Sequence, residues 1–205
     1  MTSPVNKTLH AAIMLAVVGL MAPLAQAASE NLLSDNSAFG TAQFVGPFSP
    51  EGVINVFGLR GTVSLFGSPI TDNSNADHYS FDVTPNQKVT LAVTTPEGPF
   101  QLNDPVVALY SPGGLQLIAD DDGGPGFDSL LNLTISAPGR YVAAVSGFAD
   151  FNFAGDVSGG VPNTFTNFFY TLQIQSESAP VPVPAAAWLL GSSLAGMLGF
   201  RRRAS

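Results

Sequence analysis

From residue 77 to residue 175, apolar and polar positions alternate with a period of two. In "DHYSFDVT", Tyr79, Phe81 and Val83 fall on one side of an extended chain, and His78, Ser80 and Asp82 on the other. "KVTLAVTT" repeats the alternation after "PNQ". The runs "DPVVALYSPGG", "LQLIADDDGG", "SLLNLTI", "RYVAAVSGF" and "FFYTLQIQ" follow, with Gly-, Pro- and Asp-rich turn signals between most of them. Upstream, "GTVSLFG" reads as a further strand and "SPITDNSNAD" as a turn-rich loop. No stretch of this region carries a 3.6-residue apolar stripe long enough for a helix. Short strands at regular spacing predict an all-β fold, an antiparallel β-sandwich of jelly-roll type, over residues 61–176. The pattern turns Phe81, Val83, Leu91, Val93, Leu109, Leu117, Leu133, Tyr141, Val145 and Leu172 inward. Tyr110, Tyr141 and Tyr170 fall inside strands and read as packed or half-buried. Residues 28–60 read as an N-terminal extension with room for an additional strand or two. The Phe-rich stretch "GFADFNFAGDVSGGVPNTFTNFFY" reads as an insertion whose aromatics tuck onto the sandwich edge, because an exposed cluster of that size favours aggregation.

Composition narrows the chemistry. The chain of 205 residues has no cysteine, which excludes disulfides, thiolate metal sites and cysteine nucleophiles. Between Ser29 and Pro180 the cations are Arg60, Lys88 and Arg140, against fifteen Asp and Glu, a net charge of 3 − 15 = −12. That balance argues against nucleic acid as a partner.

Both ends depart from the strand pattern. Lys7 precedes the apolar run "AAIMLAVVGLMAPLA" and the small-residue pattern Ala25-Gln26-Ala27, which together read as a secretory signal peptide over residues 1–27. At the other end a Pro-rich linker (177–184) leads into an uncharged run, Ala185 to Phe200, and then Arg201, Arg202 and Arg203. The run is a little short for a spanning helix of ~17–25 residues, but flanking arginines snorkel and Trp188 suits the opposite interface. The arginines would stay cytoplasmic by the positive-inside bias, leaving the bulk of the chain outside.

The closing sequence "VPVPAAAWLLGSSLAGMLGFRRR" resembles the PEP-CTERM sorting signal of Gram-negative bacteria that make exopolysaccharide. The matching positions include Val181, Pro182, Val183, Pro184, Trp188 and Arg201–Arg203, the name-giving triplet here reading Pro182-Val183-Pro184. The resemblance implies secretion machinery and an exosortase-like membrane protease as partners, inner-membrane anchoring by segment 185–205 before processing, and then a cell-surface or extracellular location.

A second resemblance covers about half the chain. "DHYSFDVTPNQKVTLAV", "NDPVVALYSPGGLQLIADDDGGPGFDSLLNLTISAPGRYVAAVSG" and "YTLQI" are similar to the bacterial pre-peptidase C-terminal domain, a small β-sandwich appended to secreted proteins. Its fixed points fall at Asp104-Pro105, Leu109-Tyr110, Gly113-Gly114, Asp121-Asp122, Pro138-Gly139 and Tyr141, while Val106 stands where the family tends to carry a second aspartate.

Three features are candidates for chemistry. Asp120, Asp121, Asp122 and Asp128 crowd a Gly-rich turn, and Asp104 and Asp77 are the remote acids that would join them; together they offer hard oxygen ligands for Ca²⁺. The competing reading is a solvated acidic hairpin. His78 is the sole imidazole outside the N-terminal segment, with no nucleophile elbow around any serine to serve it. Asn132-Leu133-Thr134 matches a glycosylation triplet, but at a strand position it reads as a solvent-facing polar pair. The expectation is an exported, non-catalytic structural or adhesive β-sandwich of the envelope or extracellular matrix, without cofactor unless Ca²⁺, meeting exopolysaccharide or matrix proteins. The alternatives are a carbohydrate-binding module, marked by an exposed aromatic platform, and a small envelope hydrolase, marked by His78 beside a serine or carboxylate.

Overall fold

The computed structural model describes residues 25–31, 34–48, 51–72, 76–96, 103–154 and 167–179. The fold is all-β, resembling a sandwich of two five-stranded sheets. Its strands are β1 (Ala25–Ser29), β2 (Gln43–Pro47), β3 (Gly52–Arg60), β4 (Thr62–Leu65), β5 (Ser68–Thr71), β6 (Asp77–Val83), β7 (Gln87–Thr94), β8 (Pro105–Tyr110), β9 (Gln116–Asp120), β10 (Ser129–Ile135), β11 (Gly139–Gly147) and β12 (Phe168–Ser178). One sheet runs β1-β3-β12-β7-β10, the other β2-β6-β11-β8-β9, and β4-β5 form a separate hairpin. The signal-like segment, apart from Ala25–Ala27 in β1, lies outside the described residues, as do the Pro-rich linker from Pro180 onward and the sorting-signal residues Val181–Pro184, Trp188 and Arg201–Arg203. No helix among the described residues is long and apolar enough to cross a membrane.

The period-two pattern explains the core. Tyr79, Phe81 and Val83 of β6, Val89, Leu91 and Val93 of β7, Leu109 of β8, Tyr141 and Val145 of β11, and Leu172 and Ile174 of β12 are all buried in one cluster between the sheets. Tyr141 also donates its hydroxyl to Ala137 O at 3.0 Å, fixing the turn that opens β11.

Three expectations need correction. The sheets are mixed, not wholly antiparallel: β1 runs parallel to β3 and β2 parallel to β6. Parallel neighbours need a crossover. The chain supplies it by leaving β1, adding β2 to the opposite sheet and returning as β3, so residues 25–60 contribute three strands to the sheets. Leu117, expected in the core, is 40% exposed. A register shift after Leu109 pairs Leu109 with Ile118 and Tyr110 with Gln116, so Ile118 packs inward and Leu117 is turned out. Finally, Ser68–Thr71 is a strand, not a loop. Leu65 faces Ser68 across a two-residue turn in which Phe66 (φ 51°) and Gly67 (φ 83°) both have positive φ, the conformation of a tight type I′ hairpin.

Candidate functional site

The same alternation that buries Tyr79 and Phe81 points Asp77 inward, two residues earlier on β6. On β3 the inward phase of Ile54 and Val56 continues through Gly58 to Arg60, and on β12 it places Tyr170 beside them. Asp77 is fully buried, and Arg60 and Tyr170 are each 1% exposed. Gly58 makes the room: a Cβ there would collide with the Tyr170 ring. Glu30, just beyond β1, and Asp72, just beyond β5, complete the cluster. The ligand atoms of Glu30, Asp72 and Asp77 lie within 4.8 Å of one another, the one acidic group converging so closely among the described residues.

The hydrogen bonds order this interior. Tyr170 donates to Asp77 Oδ2 at 2.7 Å, and the Tyr79 and Tyr170 hydroxyls lie 2.6 Å apart. Because a phenol has one proton and Tyr170 spends it on Asp77, Tyr79 is the donor to Tyr170. Glu30 accepts from Leu59 N at 2.8 Å and from Asn36 Nδ2 at 3.2 Å. Burial pushes the Asp77 carboxyl well above the usual range, and the nearby Glu30 and Asp72 charges push it further. Glu30 is raised by burial as well, but its hydrogen bonds from Leu59, Asp77 and Asn36 pull the other way. Both carboxyls are thus shifted toward the neutral form, Asp77 the more strongly, and their mutual hydrogen bond favours Asp77 as its donor. Burial lowers the Arg60 guanidinium while the Asp150, Asp77 and Asp72 charges oppose that shift. Three converging carboxylates are a donor set suited to a hard divalent cation. The Arg60 guanidinium and neutral donors from Tyr170, Leu59 and Asn36 already face them.

Arg60 also connects to the loop after β11. Its Nε donates to Ser146 Oγ at 3.3 Å, and Ser146 donates to Asp150 Oδ2 at 2.6 Å. The loop carries Phe153 onto the outer face of the second sheet, where it packs with Ala76, Val106, Ala108 and Ala144. The Phe-rich segment thus divides: Phe153 is buried, while Phe148 and Phe151 meet edge-on at the surface. Beneath this cover His78 is 3% exposed, its Nδ1 3.1 Å from Asn36 O, and burial lowers its pKa. No catalytic constellation is assembled among the described residues. His78 is paired with backbone carbonyl, not with a serine or carboxylate.

In the acidic turn two of the carboxylates are tied to backbone. Asp120 Oδ2 accepts from Gly123 N and Leu130 N, both at 2.8 Å, and Asp128 Oδ1 accepts from Thr95 N at 3.0 Å. These two acids hold the loop. Asp122 is exposed and Asp121 half-buried. The β8–β9 register, Val107 against Asp120, carries Asp121 and Asp122 alongside the segment that begins at Asp104. Asp104 is 7% exposed, and its Oδ1 has no hydrogen-bond partner among the described residues. Its pKa is raised to about 6, by burial first and then by the Asp122 and Asp121 charges. Asp77 stands with Glu30 and Asp72 because the inward phase of β6 carries it into the interior. Tyr110 is half-buried on β8 and donates to Gln116 Oε1 at 2.9 Å, and Asn132 is exposed on β10, accepting from Thr90 Oγ1 at 2.6 Å.

Glu30, Arg60 and Asp72 are the site residues that sequence reasoning missed. The one available signal was Arg60, a lone cation ending the apolar strand "GVINVFGLR". An arginine on the inward phase of a strand requires buried acids nearby.

No protein-family model matches the chain, and no curated protein does. Among solved structures it is similar to the pre-peptidase C-terminal domain of collagenase from Bacillus anthracis, at 13% identity and a TM-score of 0.35, covering 66% of this chain and 94% of that one. It is similar to the same degree to PliG, a periplasmic lysozyme inhibitor of g-type lysozyme from Aeromonas hydrophila, at 12% identity and a TM-score of 0.35, covering 66% of this chain and 99% of that one. Both likenesses are weak and of low identity.

Proposed function

We propose that this chain is an exported, non-catalytic β-sandwich that serves as a structural or adhesive component of the cell envelope or extracellular matrix. The observation that carries the reading is the use made of the reactive side chains. Asp77, Glu30, Arg60, Tyr79, Tyr170 and His78 are all buried, and their hydrogen bonds and charges are directed at one another, at backbone, or at the buried side chains of Asn36 and Ser146. Such a network joins two sheets and rigidifies them. A hydrolase would instead aim His78 at a nucleophile in reach of substrate.

Delivery follows from the two ends. The N-terminal segment directs secretion, and the Pro-rich, apolar and arginine-ended tail holds the chain at the inner membrane until an exosortase-like protease acts on it. Intact mass of the protein isolated from its native host, with cell fractionation, tests both steps. A chain beginning near Ala28, keeping only Ala28 and Ser29 of β1, and lacking Arg201–Arg203, recovered outside the cytoplasm, is the expected result. A full-length cytoplasmic chain overturns it. A second reading, binding of carbohydrate, is favoured by one observation: Phe57 and Phe169 stack at the surface of the first sheet.

A further inference from the structure

We propose that the outer face of the β1-β3-β12-β7-β10 sheet docks a neutral polysaccharide, with Phe57 and Phe169 as its aromatic anchor. The inference rests on the adhesive reading above and adds to it a surface and a ligand class. Phe57 on β3 stands opposite Thr171, and Phe169 on β12 stands opposite Leu59, so the two rings are diagonal neighbours across one strand pair. Their centroids lie 5.7 Å apart with planes 16° from parallel, and Phe57 is 55% exposed. The inward phase of both strands is already filled by Ile54, Val56, Tyr170, Leu172 and Ile174. The pair is therefore surplus to the core and costs solvation where it stands.

What surrounds the rings selects the ligand. Gln173 Nε2 donates to Asn55 Oδ1 at 3.2 Å, and Thr90 Oγ1 donates to Asn132 Oδ1 at 2.6 Å, so amides and hydroxyls are held in cross-strand pairs over four strands. These bonds leave the Nδ2 donors of Asn55 and Asn132 unspent. The only ionisable groups among the outward positions are Glu177 and Lys88, opposite each other at the far end of the face from the phenylalanines. An uncharged patch of this extent is notable in a chain whose middle carries fifteen acids and three cations. The acidic surroundings repel polyanions, and the patch offers a polycation nothing that the acidic turn does not offer better. A neutral polyol matches: the apolar faces of its rings lie on phenylalanine, and its hydroxyls meet amides and threonines.

The test is native affinity electrophoresis of the full chain in mild non-ionic detergent, through gels containing hydroxyethyl cellulose, galactomannan or polygalacturonate. The expected result is retardation by a neutral polymer and none by polygalacturonate. Phe57→Ala/Phe169→Ala should weaken apparent affinity by about tenfold or more, as loss of an aromatic anchor does. Its melting temperature should stay near that of the parent. Phe127→Ala, which removes an exposed ring from the acidic turn, should run as the parent does. Free passage through both neutral gels overturns the proposal, as does equal retardation of the double variant. Light scattering that shows the parent dimeric and the double variant monomeric, without glycan binding, assigns the face to a second copy of this chain instead. Fractionation separates the two readings: glycan binding by a chain that stays cytoplasmic sinks the export reading alone, and an exported chain that ignores glycans sinks this one alone.

Discussion

The hydroxyls of Tyr79 and Tyr170 meet 2.6 Å apart although the two residues belong to opposite sheets, one on β6 and the other on β12. Apolar packing between sheets tolerates sliding, since many side-chain arrangements bury similar area. A hydrogen bond between two phenols in a dry core does not, because moving either sheet leaves a buried polar group unsatisfied. The chain continues from Tyr170 to Asp77 and Glu30, so the cross-sheet bond is also the path by which the buried charges are held in register.

Tyr170 and Tyr79 are not equivalent in this chain. Tyr170→Phe removes the acceptor for Tyr79 and the donor for Asp77, and should cost about 2–3 kcal/mol in urea unfolding. Tyr79→Phe removes a donor whose loss Tyr170 survives, and should cost roughly 1 kcal/mol. The double variant should cost less than the sum, because the shared bond is lost once. Strict additivity would mean that the 2.6 Å bond between the hydroxyls carries no coupling.

At the tip of the β4–β5 hairpin, Phe66 is 99% exposed and held at φ 51°. A type I′ turn asks for Asn or Gly at that position. Phe66→Asn should therefore stabilise the protein by roughly 0.5–1 kcal/mol, while Phe66→Val should destabilise it, β-branching being least compatible with positive φ. Thermal melting of the two variants checks both signs. A melting temperature lowered by Asn would mean that the Phe66 ring has a partner.

How far the sequence could be read follows from which interactions are local. Phe81, Val83, Leu91, Val93 and Leu172 declared themselves because alternation is a property of a single strand. The β8–β9 bulge was hidden: nothing in "LQLIADDD" distinguishes Leu117 inward from Ile118 inward until the partner strand sets the register. Glu30 and Asp72 were hidden for a further reason. They leave β1 and β5, elements whose turns and parallel pairing local pattern does not reveal, and they meet Asp77 through strand order alone. Asp77 was singled out for its carboxylate but assigned to the acidic turn, since sequence shows which acids exist and not which strand phase points them inward.

The acidic turn gives a pH-dependent prediction. Asp104 has its pKa raised to about 6, so its folded value lies above the unfolded one of ~3.9. The neutral form suits the fold, and the contribution is fully present below about pH 4 and is lost as pH rises through about 6. Asp104→Asn should leave stability unchanged near pH 4 and raise it by ~1–2 kcal/mol at pH 7, a figure reduced for the solvent beside Asp121 and Asp122. A calcium ion held by these carboxylates would relieve the same repulsion. At pH 7 several millimolar CaCl₂ should raise the melting temperature, and Asp121→Asn/Asp122→Asn should abolish the rise, with MgCl₂ at matched ionic strength acting less. Identical melting in EDTA, CaCl₂ and MgCl₂ would leave the turn as a solvated loop held by Asp120 and Asp128.

The interior cluster gives a test of the same sign at a fully buried carboxyl. Burial, with the Glu30 and Asp72 charges, raises Asp77 well above its ordinary value. Its contribution is therefore complete below the unfolded pKa and is lost as pH rises through the folded one, so the protein should weaken toward alkaline pH. Asparagine reproduces what the neutral acid does: its oxygen accepts from Tyr170 and its amide donates to Glu30, without a proton to lose. Asp77→Asn should match the parent within about 1 kcal/mol at pH 5 and exceed it at pH 9, flattening the alkaline limb of the stability profile. Asp77→Ala leaves the Tyr170 hydroxyl and the Glu30 carboxylate unpaired in a buried site, and should cost about 3 kcal/mol or more at either pH. Urea unfolding at both pH values distinguishes the cases. If Asn proved as damaging as Ala at pH 5, Asp77 would be ionised in the fold, and Arg60 would have to balance its charge.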